Sequence, residues 1–318
     1  MKKLSFVIPC YGSEKSIGGV VSDIQSTVIE HGGYDYEIIC VNDKSPDKVI
    51  DVLRSISGIN KKVKVLSLAK NSGQHAAIMA GYSVVSGDII VCLDDDGQNP
   101  PSEMFKLIDE VENGKDIVFA KYSVKKHSIF RNFGSVINNV MAEQFIGKPK
   151  DFALTSYFAC KRYIVDEILK YDKPYPYLGG LLLRTTDNIG TVPVTHKERA
   201  VGKSGYSINK LLSLWMNGFT AFSVKPLRVA SISGAISASA GFIYGVIAII
   251  RKVVEPEKYL AGYSSIICIL LFLGGLTLLV LGLIGEYIGR IYICINRSPQ
   301  YVICEKINLD EDQQIKNS

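Results

Sequence analysis

Between residue 4 and about residue 123, short β-branched apolar runs alternate with segments whose apolar residues recur every three or four positions. That is the order of an α/β fold built on a mostly parallel sheet with helices on both faces. Strands are expected at 4–9, 36–41, 63–68, 88–93 and 116–120, and each but the last runs into a turn rich in Asn, Asp, Ser or Gly. In such sheets ligands bind beyond the carboxyl ends of the strands, so these turns are where chemistry is expected.

Further on, a helix is predicted over 127–146, with Ile129, Phe130, Phe133, Val136, Ile137, Val140 and Met141 on one side. Strands are expected at 154–160 and 189–194, with helices around 164–169 and 178–185. Residues 207–224 read as an amphipathic helix with Trp215, Phe219 and Phe222 on its apolar side, suited to a bilayer surface. Two uncharged stretches follow, 229–250 of 22 residues and 261–285 of 25, each reaching the ~20 residues that cross a hydrocarbon core.

The expected organisation is thus a catalytic domain over 1–206, an interfacial helix and linker over 207–228, a transmembrane hairpin over 229–290 and a tail over 291–318, polar from 308 onward. Small residues such as Gly234, Ala238, Gly241, Gly274 and Gly275 would permit close helix packing, within the hairpin or between subunits of a homo-oligomer. Lys210, Lys225, Arg228, Arg290 and Arg297 flank the pair, whereas Arg251, Lys252 and Lys258 in the connecting loop stand beside Glu255 and Glu257. This bias favours both ends, and with them the catalytic domain, on the cytoplasmic side of the inner membrane.

Net charge is +5 and the basic residues are spread along the chain, which speaks against nucleic acid as a partner and fits anionic small molecules and lipid headgroups. The seven cysteines form no C-x-x-C pair and read as packed, reduced thiols. The apolar run at the N-terminus is too short for a signal peptide.

The strongest chemical signal is Asp94-Asp95-Asp96-Gly97-Gln98-Asn99-Pro100-Pro101, a strand end running into three carboxylates and a proline-initiated helix. Asp94 and Asp96 alternate to one side of an extended chain, where hard oxygen ligands could hold Mg2+ or Mn2+ against a pyrophosphate. A bare D-x-D is more often an acidic helix cap, so its neighbours decide.

Those neighbours resemble the family 2 glycosyltransferases of the polyprenyl-phosphate type over nearly the whole chain. Val7-Ile8-Pro9-Cys10-Tyr11-Gly12-Ser13-Glu14 resembles V-I-P-x-Y-N-E-E, and Val41-Asn42-Asp43-Lys44-Ser45 resembles V-D-D-G-S. Lys70-Asn71-Ser72-Gly73-Gln74-His75-Ala76-Ala77 resembles N-x-G-x-x-x-A, and the Asp94 run resembles D-A-D-L-Q-D-P-P. The resemblance implies a GT-A-like fold and inverting transfer of a hexose from a nucleotide-sugar, a UDP-sugar foremost, to polyprenyl (undecaprenyl) phosphate.

It further implies that Pro9, Tyr11, Glu14, Asp43, Asn71, Gly73, Asp94, Asp95 and Lys121 line the nucleotide-sugar site, and that Asp94, Asp96 and Gln98 are the metal and diphosphate residues. Arg131 stands where the family holds phosphate oxygens; outside that context it reads as a solvated charge. Glu198-Arg199-Ala200-Val201-Gly202-Lys203-Ser204-Gly205-Tyr206 resembles R-x-x-G-K-S-x-Y, placing Arg199, Lys203 and Ser204 on the acceptor phosphate. Asp96, Arg131 and Lys203 are then the catalytic set. His75 is expected as a satisfied turn histidine.

Leu154-Thr155-Ser156-Tyr157-Phe158-Ala159-Cys160-Lys161-Arg162 departs from the family's D-F-R-L-x-x-R by carrying Ser156 at the Asp position. A phosphate acceptor is already anionic near neutral pH, so attack needs no protein base. Four rival readings stand beside this one, of which a soluble nucleotidyltransferase is disfavoured by the expected membrane hairpin and by the lack of its glycine-rich N-terminal loop. A processive synthase would carry Q-x-x-R-W, and the only tryptophan is Trp215 in Leu214-Trp215-Met216. A transferase acting on a glycan acceptor keeps the same sheet. A non-catalytic lipid-carrier or scaffold subunit would not need the carboxylates.

Overall fold

The computed structural model describes residues 1–122, 154–195, 263–295 and 298–309, together with scattered helical positions between 230 and 254. The expected helices over 127–146 and 207–224 lie outside the described residues, as do Arg131, Arg199, Lys203 and Ser204. The chain divides into two compact units, Met1–Tyr206 with Arg297–Ser318, and Ser207–Asn296.

The first unit is one eight-stranded sheet in the order β7-β5-β6-β4-β1-β2-β3-β8. Its strands are β1 (Lys2–Cys10), β2 (Tyr34–Asn42), β3 (Val63–Leu68), β4 (Ile89–Cys92), β5 (Ile117–Tyr122), β6 (Phe158–Lys161), β7 (Ile189–Val194) and β8 (Ile303–Ile307). The described helices of this unit are α1 (Ile17–His31), α2 (Val49–Ile59), α3 (Gln74–Tyr82), α4 (Met104–Glu112), α5 (Arg162–Ile168) and α6 (Leu178–Thr185).

The sheet is more mixed than the apolar pattern suggests. β1 to β4 form a parallel block and β5 pairs parallel with β7, but β6 enters antiparallel between β4 and β5, and β8 runs antiparallel along β3. β1 is buried from Leu4 through Cys10 because both its faces are covered. Leu4, Phe6 and Ile8 pack with Ile17, Ile24 and Leu53 of α1 and α2 and with Leu107 and Ile108 of α4. Val7 faces the other way, against α3.

At the amino-terminal end of the sheet, Glu37 is 2% exposed, and its carboxylate accepts from Ser5 Oγ at 2.6 Å, the Ser86 backbone N–H at 2.6 Å and Lys64 Nζ at 2.8 Å. Gly87 is required beside it, since a Cβ there would stand 2.7 Å from the Lys3 carbonyl oxygen. Burial alone would raise the Glu37 pKa, but Lys64, Ser5 and Ser86 outweigh it and hold the group at about 2, below its ordinary 4.5. A depressed pKa stabilises the fold fully above the unfolded-state value, and that stability is lost as pH falls from about 4.5 toward 2. The shift is worth on the order of 3 kcal/mol. In thermal unfolding, Glu37→Gln is expected to lie well below the wild type at pH 7, with the two curves converging near pH 2–3; a constant gap across that window would refute the account.

In the second unit the described residues between 230 and 254 are helical. The last helix, α7 (Tyr263–Ile295), runs 33 residues, and its stretch Phe272–Gly289 is long and apolar enough to cross a membrane.

A carboxylate cluster at the switch point of the sheet

The chain proceeds from β1 outward to β2 and β3, then returns to place β4 on the other side of β1. The crevice between the ends of β1 and β4 is therefore the switch point of the parallel block, where ligands bind in open α/β sheets. β1 delivers Tyr11, Gly12 and Ser13 there, and β4 delivers Asp94, Asp95 and Asp96. The two turns are tied together by the Tyr11 backbone N–H, which donates to Asp95 Oδ2 at 2.9 Å.

Asp94 accepts hydrogen bonds from three side chains of the described residues. Its Oδ1 accepts from Gln74 Nε2 at 2.8 Å, and its Oδ2 accepts from Asn99 Nδ2 at 3.2 Å and from Ser156 Oγ. Asn99 is in turn gripped by the Tyr122 hydroxyl, which donates to its Oδ1. Asp96 Oδ1 accepts from the Gln98 backbone N–H at 3.0 Å, closing the turn. Burial pushes the Asp94 pKa up, Asp96 adds repulsion, and the donors Ser156, Asn99 and Gln74 pull it back. Burial also pushes Asp95 up to about 6, with both neighbouring carboxylates adding to the rise.

A divalent cation fits this donor set. Neighbouring carboxylates are hard oxygens whose repulsion, seen in the raised Asp94 and Asp95, a cation relieves. Among the described residues no group of three or more His, Cys, Asp or Glu side chains is placed to hold a metal ion, so a cation on Asp94 and Asp96 would need phosphate oxygens and water for its remaining positions, as Mg2+ commonly does.

Asp43 is buried, 4% exposed, and accepts from the Ser72 and Gly73 backbone N–H groups at 2.7 and 2.8 Å. It thereby fixes the β3–α3 turn next to the crevice, and burial raises its pKa against those two hydrogen bonds. Asn42, where the resembled motif has Asp, accepts from the Ser45 N–H and donates to Ser67 Oγ, so the amide does scaffold work that a carboxylate could only half perform. Gly12 adopts φ 72°, a region open to Gly and Asn, which accounts for Gly standing at the Asn position of the motif.

Pro9 lies in β1 opposite Val41, and Tyr11 is 55% exposed at the crevice. Glu14 accepts from the Lys48 N–H at 3.3 Å. Asn71 and Lys121 are exposed, and it is Tyr122, one residue on, that reaches the carboxylate network. His75 is not the satisfied turn histidine expected. Its Nδ1 is buried with no hydrogen-bond partner among the described residues, its ring meets Tyr177 edge-on at 5.5 Å, and burial pushes its pKa down to about 4. Gln74, Asn99 and Tyr122 were not among the expected site residues. The first two stand inside the motifs, but their partners are set by folding.

Residues 5–169 match the family described as Glycosyl transferase family 2, and residues 225–291 match the one described as GtrB C-terminal hairpin. The chain belongs to glycosyltransferase family 2. Among curated relatives, the undecaprenyl-phosphate 4-deoxy-4-formamido-L-arabinose transferase of Yersinia enterocolitica is 33% identical over 98% of this chain and 96% of its own length. The same-named transferase of Serratia proteamaculans is 34% identical over 95% of this chain and 93% of its own. Among solved structures, glucosyl-3-phosphoglycerate synthase from Mycobacterium tuberculosis, in complex with Mn2+ and UDP-glucose, aligns with TM-score 0.52 at 18% identity. That alignment covers 69% of this chain and 77% of the synthase, and it shows a shared fold. This family 2 glycosyltransferase thus carries its carboxylate cluster on a GT-A-like α/β sheet.

Proposed function

We propose that this glycosyltransferase moves a sugar from a nucleotide-sugar to undecaprenyl phosphate with inversion at the anomeric carbon. The observation that carries the reading is the carboxylate cluster at the switch point, in a chain that matches undecaprenyl-phosphate sugar transferases along nearly its whole length. An acceptor phosphate oxygen forms the new bond to the anomeric carbon, and the old bond breaks with its electron pair leaving on the nucleoside diphosphate.

Pro9, Tyr11, Glu14, Asp43, Asn71, Gly73 and Asp95 line the nucleoside side of the crevice, with Lys121 at its edge. Asp94 and Asp96, with Gln98, would hold Mg2+ or Mn2+; bound there, the cation neutralises charge on the departing diphosphate. Arg131 is assigned to the donor phosphates, and Arg199, Lys203 and Ser204 to the acceptor phosphate.

The acceptor's long tail calls for a bilayer. The stretches 229–250 and 261–285 form a transmembrane hairpin in this reading, with the helix over 207–224 on the surface and the catalytic unit facing the cytoplasm. The match to a C-terminal hairpin family and the apolar Phe272–Gly289 stretch support this placement.

The test is purified protein with undecaprenyl phosphate, with and without Mn2+, against a panel of UDP-hexoses and a UDP-linked 4-formamido-arabinose donor. One donor is expected to yield a lipid-linked sugar in a metal-dependent manner. Donor binding with no lipid product from any of them would favour the scaffold reading.

A further inference from the structure

We propose that Ser156 is a positioning residue for Asp94 and that position 156 supplies no base to the reaction. The inference rests on the functional reading above and deepens it.

The placement follows from the sheet. β4 and β6 are antiparallel, with Cys92 opposite Phe158. Continuing that register two residues beyond the last pair sets Asp94 opposite Ser156, on the same side as Cys92 and Phe158. The residues on either side of Ser156 are anchored. Thr155 Oγ1 donates to the Ala120 carbonyl at 2.9 Å, and the Tyr157 hydroxyl donates to the Pro100 carbonyl at 3.1 Å. The Ala120 N–H donates to the Tyr157 carbonyl at 2.9 Å, joining the same turn to β5. Ser156 is thereby delivered to Asp94 by a stitched segment, and its hydroxyl proton is committed to Asp94 Oδ2.

Among the described residues the three side-chain donors on Asp94 are neutral: the Gln74 and Asn99 amides and the Ser156 hydroxyl. Neutral donors fix the direction of a carboxylate without cancelling its charge, which remains available to a cation. A carboxylate at position 156 would do the reverse, setting a second negative charge against Asp94, already crowded by Asp96. The serine therefore removes the family's acidic group from a place where this chain uses a donor. Because the acceptor phosphate is anionic before it attacks, nothing is lost by that exchange.

Three variants test the claim in the full-length protein, reading kcat and donor KM for transfer to undecaprenyl phosphate. Ser156→Ala, which deletes one hydrogen bond to a charged group, is expected to lower kcat about tenfold with donor KM within about threefold of wild type. Ser156→Thr keeps the hydroxyl and should recover to within about threefold of wild type on the same scale. Ser156→Asp should fall below Ser156→Ala. Activity of Ser156→Asp at or above wild type, or Ser156→Thr no better than Ser156→Ala, would overturn the proposal. Should the wild type transfer to no acceptor, the functional reading fails while the positioning claim is still read by Mn2+ titration alone. Binding about tenfold weaker in Ser156→Ala and restored in Ser156→Thr supports it, and unchanged binding in Ser156→Ala sinks it.

Discussion

Asp96→Ala is expected to abolish sugar transfer, by about 10³-fold or more, while leaving the protein folded. Asp96 is partly exposed, its hydrogen bond from the Gln98 N–H lies within its own turn, and the sheet beneath is held by the pairing of β1 with β4. The strand pairing does not depend on this side chain, and the fold is expected to be kept. In the proposed reading, what is lost is one of the two carboxylates assigned to the metal that the departing diphosphate needs. Asp96→Asn, which keeps shape and an acceptor oxygen but not the charge, should be nearly as inactive. Transfer to undecaprenyl phosphate is read by lipid product formation, folding by thermal unfolding, and the ligand role by Mn2+ titration. A variant that unfolds within a few degrees of wild type, binds Mn2+ poorly and makes no product meets the expectation. Undiminished transfer would sink the assignment of Asp96.

How much of this site could be read beforehand depends on how far apart its partners lie in the chain. The parallel block was legible because strands covered on both faces carry uninterrupted apolar stretches, as Phe6–Pro9, Ile38–Val41 and Ile89–Cys92 do, and the turn chemistry after them names the crevice. The Asp94 run was visible for the same reason. Its donors were not: Gln74 lies 20 residues before Asp94, at the start of α3, and Ser156 lies 62 after it, delivered by the insertion of β6 between β4 and β5. Ser156 read from sequence as a missing acid, and the fold shows what the hydroxyl does instead. His75 was misjudged because a motif places a ring without saying whether anything meets its nitrogen.

The strand least legible in the sequence carries the second large prediction. The segment 291–318 reads as a tail, yet Ile303–Ile307 pairs antiparallel with β3 along its outer edge. Two features hid it: Glu305 and Lys306 break any apolar run, and the partner lies more than two hundred residues away. Charged residues are what an edge strand carries. Arg54 grips Glu305 with two bonds, Nε to Oε1 at 3.1 Å and Nη2 to Oε2 at 2.8 Å. Asn308 Nδ2 donates to the Ser57 and Val63 carbonyls at 2.7 and 2.9 Å, and the Ala69 N–H reaches the Val302 carbonyl at 2.8 Å.

Ending the chain after residue 300 would strip these bonds and leave β3 with a bare edge beside the turn that carries Asn71 and Gly73. Exposed pairing groups on a long flat strand invite association with other chains. The truncated protein is expected to unfold at least about 4 °C lower, corresponding to about 2 kcal/mol or more in a domain of this size, and to aggregate on purification. Arg54→Ala, which keeps the strand but loses the paired guanidinium, should lie between wild type and the truncation and close to wild type, because the pair is solvent-exposed. Thermal unfolding and size-exclusion chromatography in detergent read both. A truncation as stable and monodisperse as the full chain would show that β3 does not need its partner, and that the returning strand serves something other than the fold.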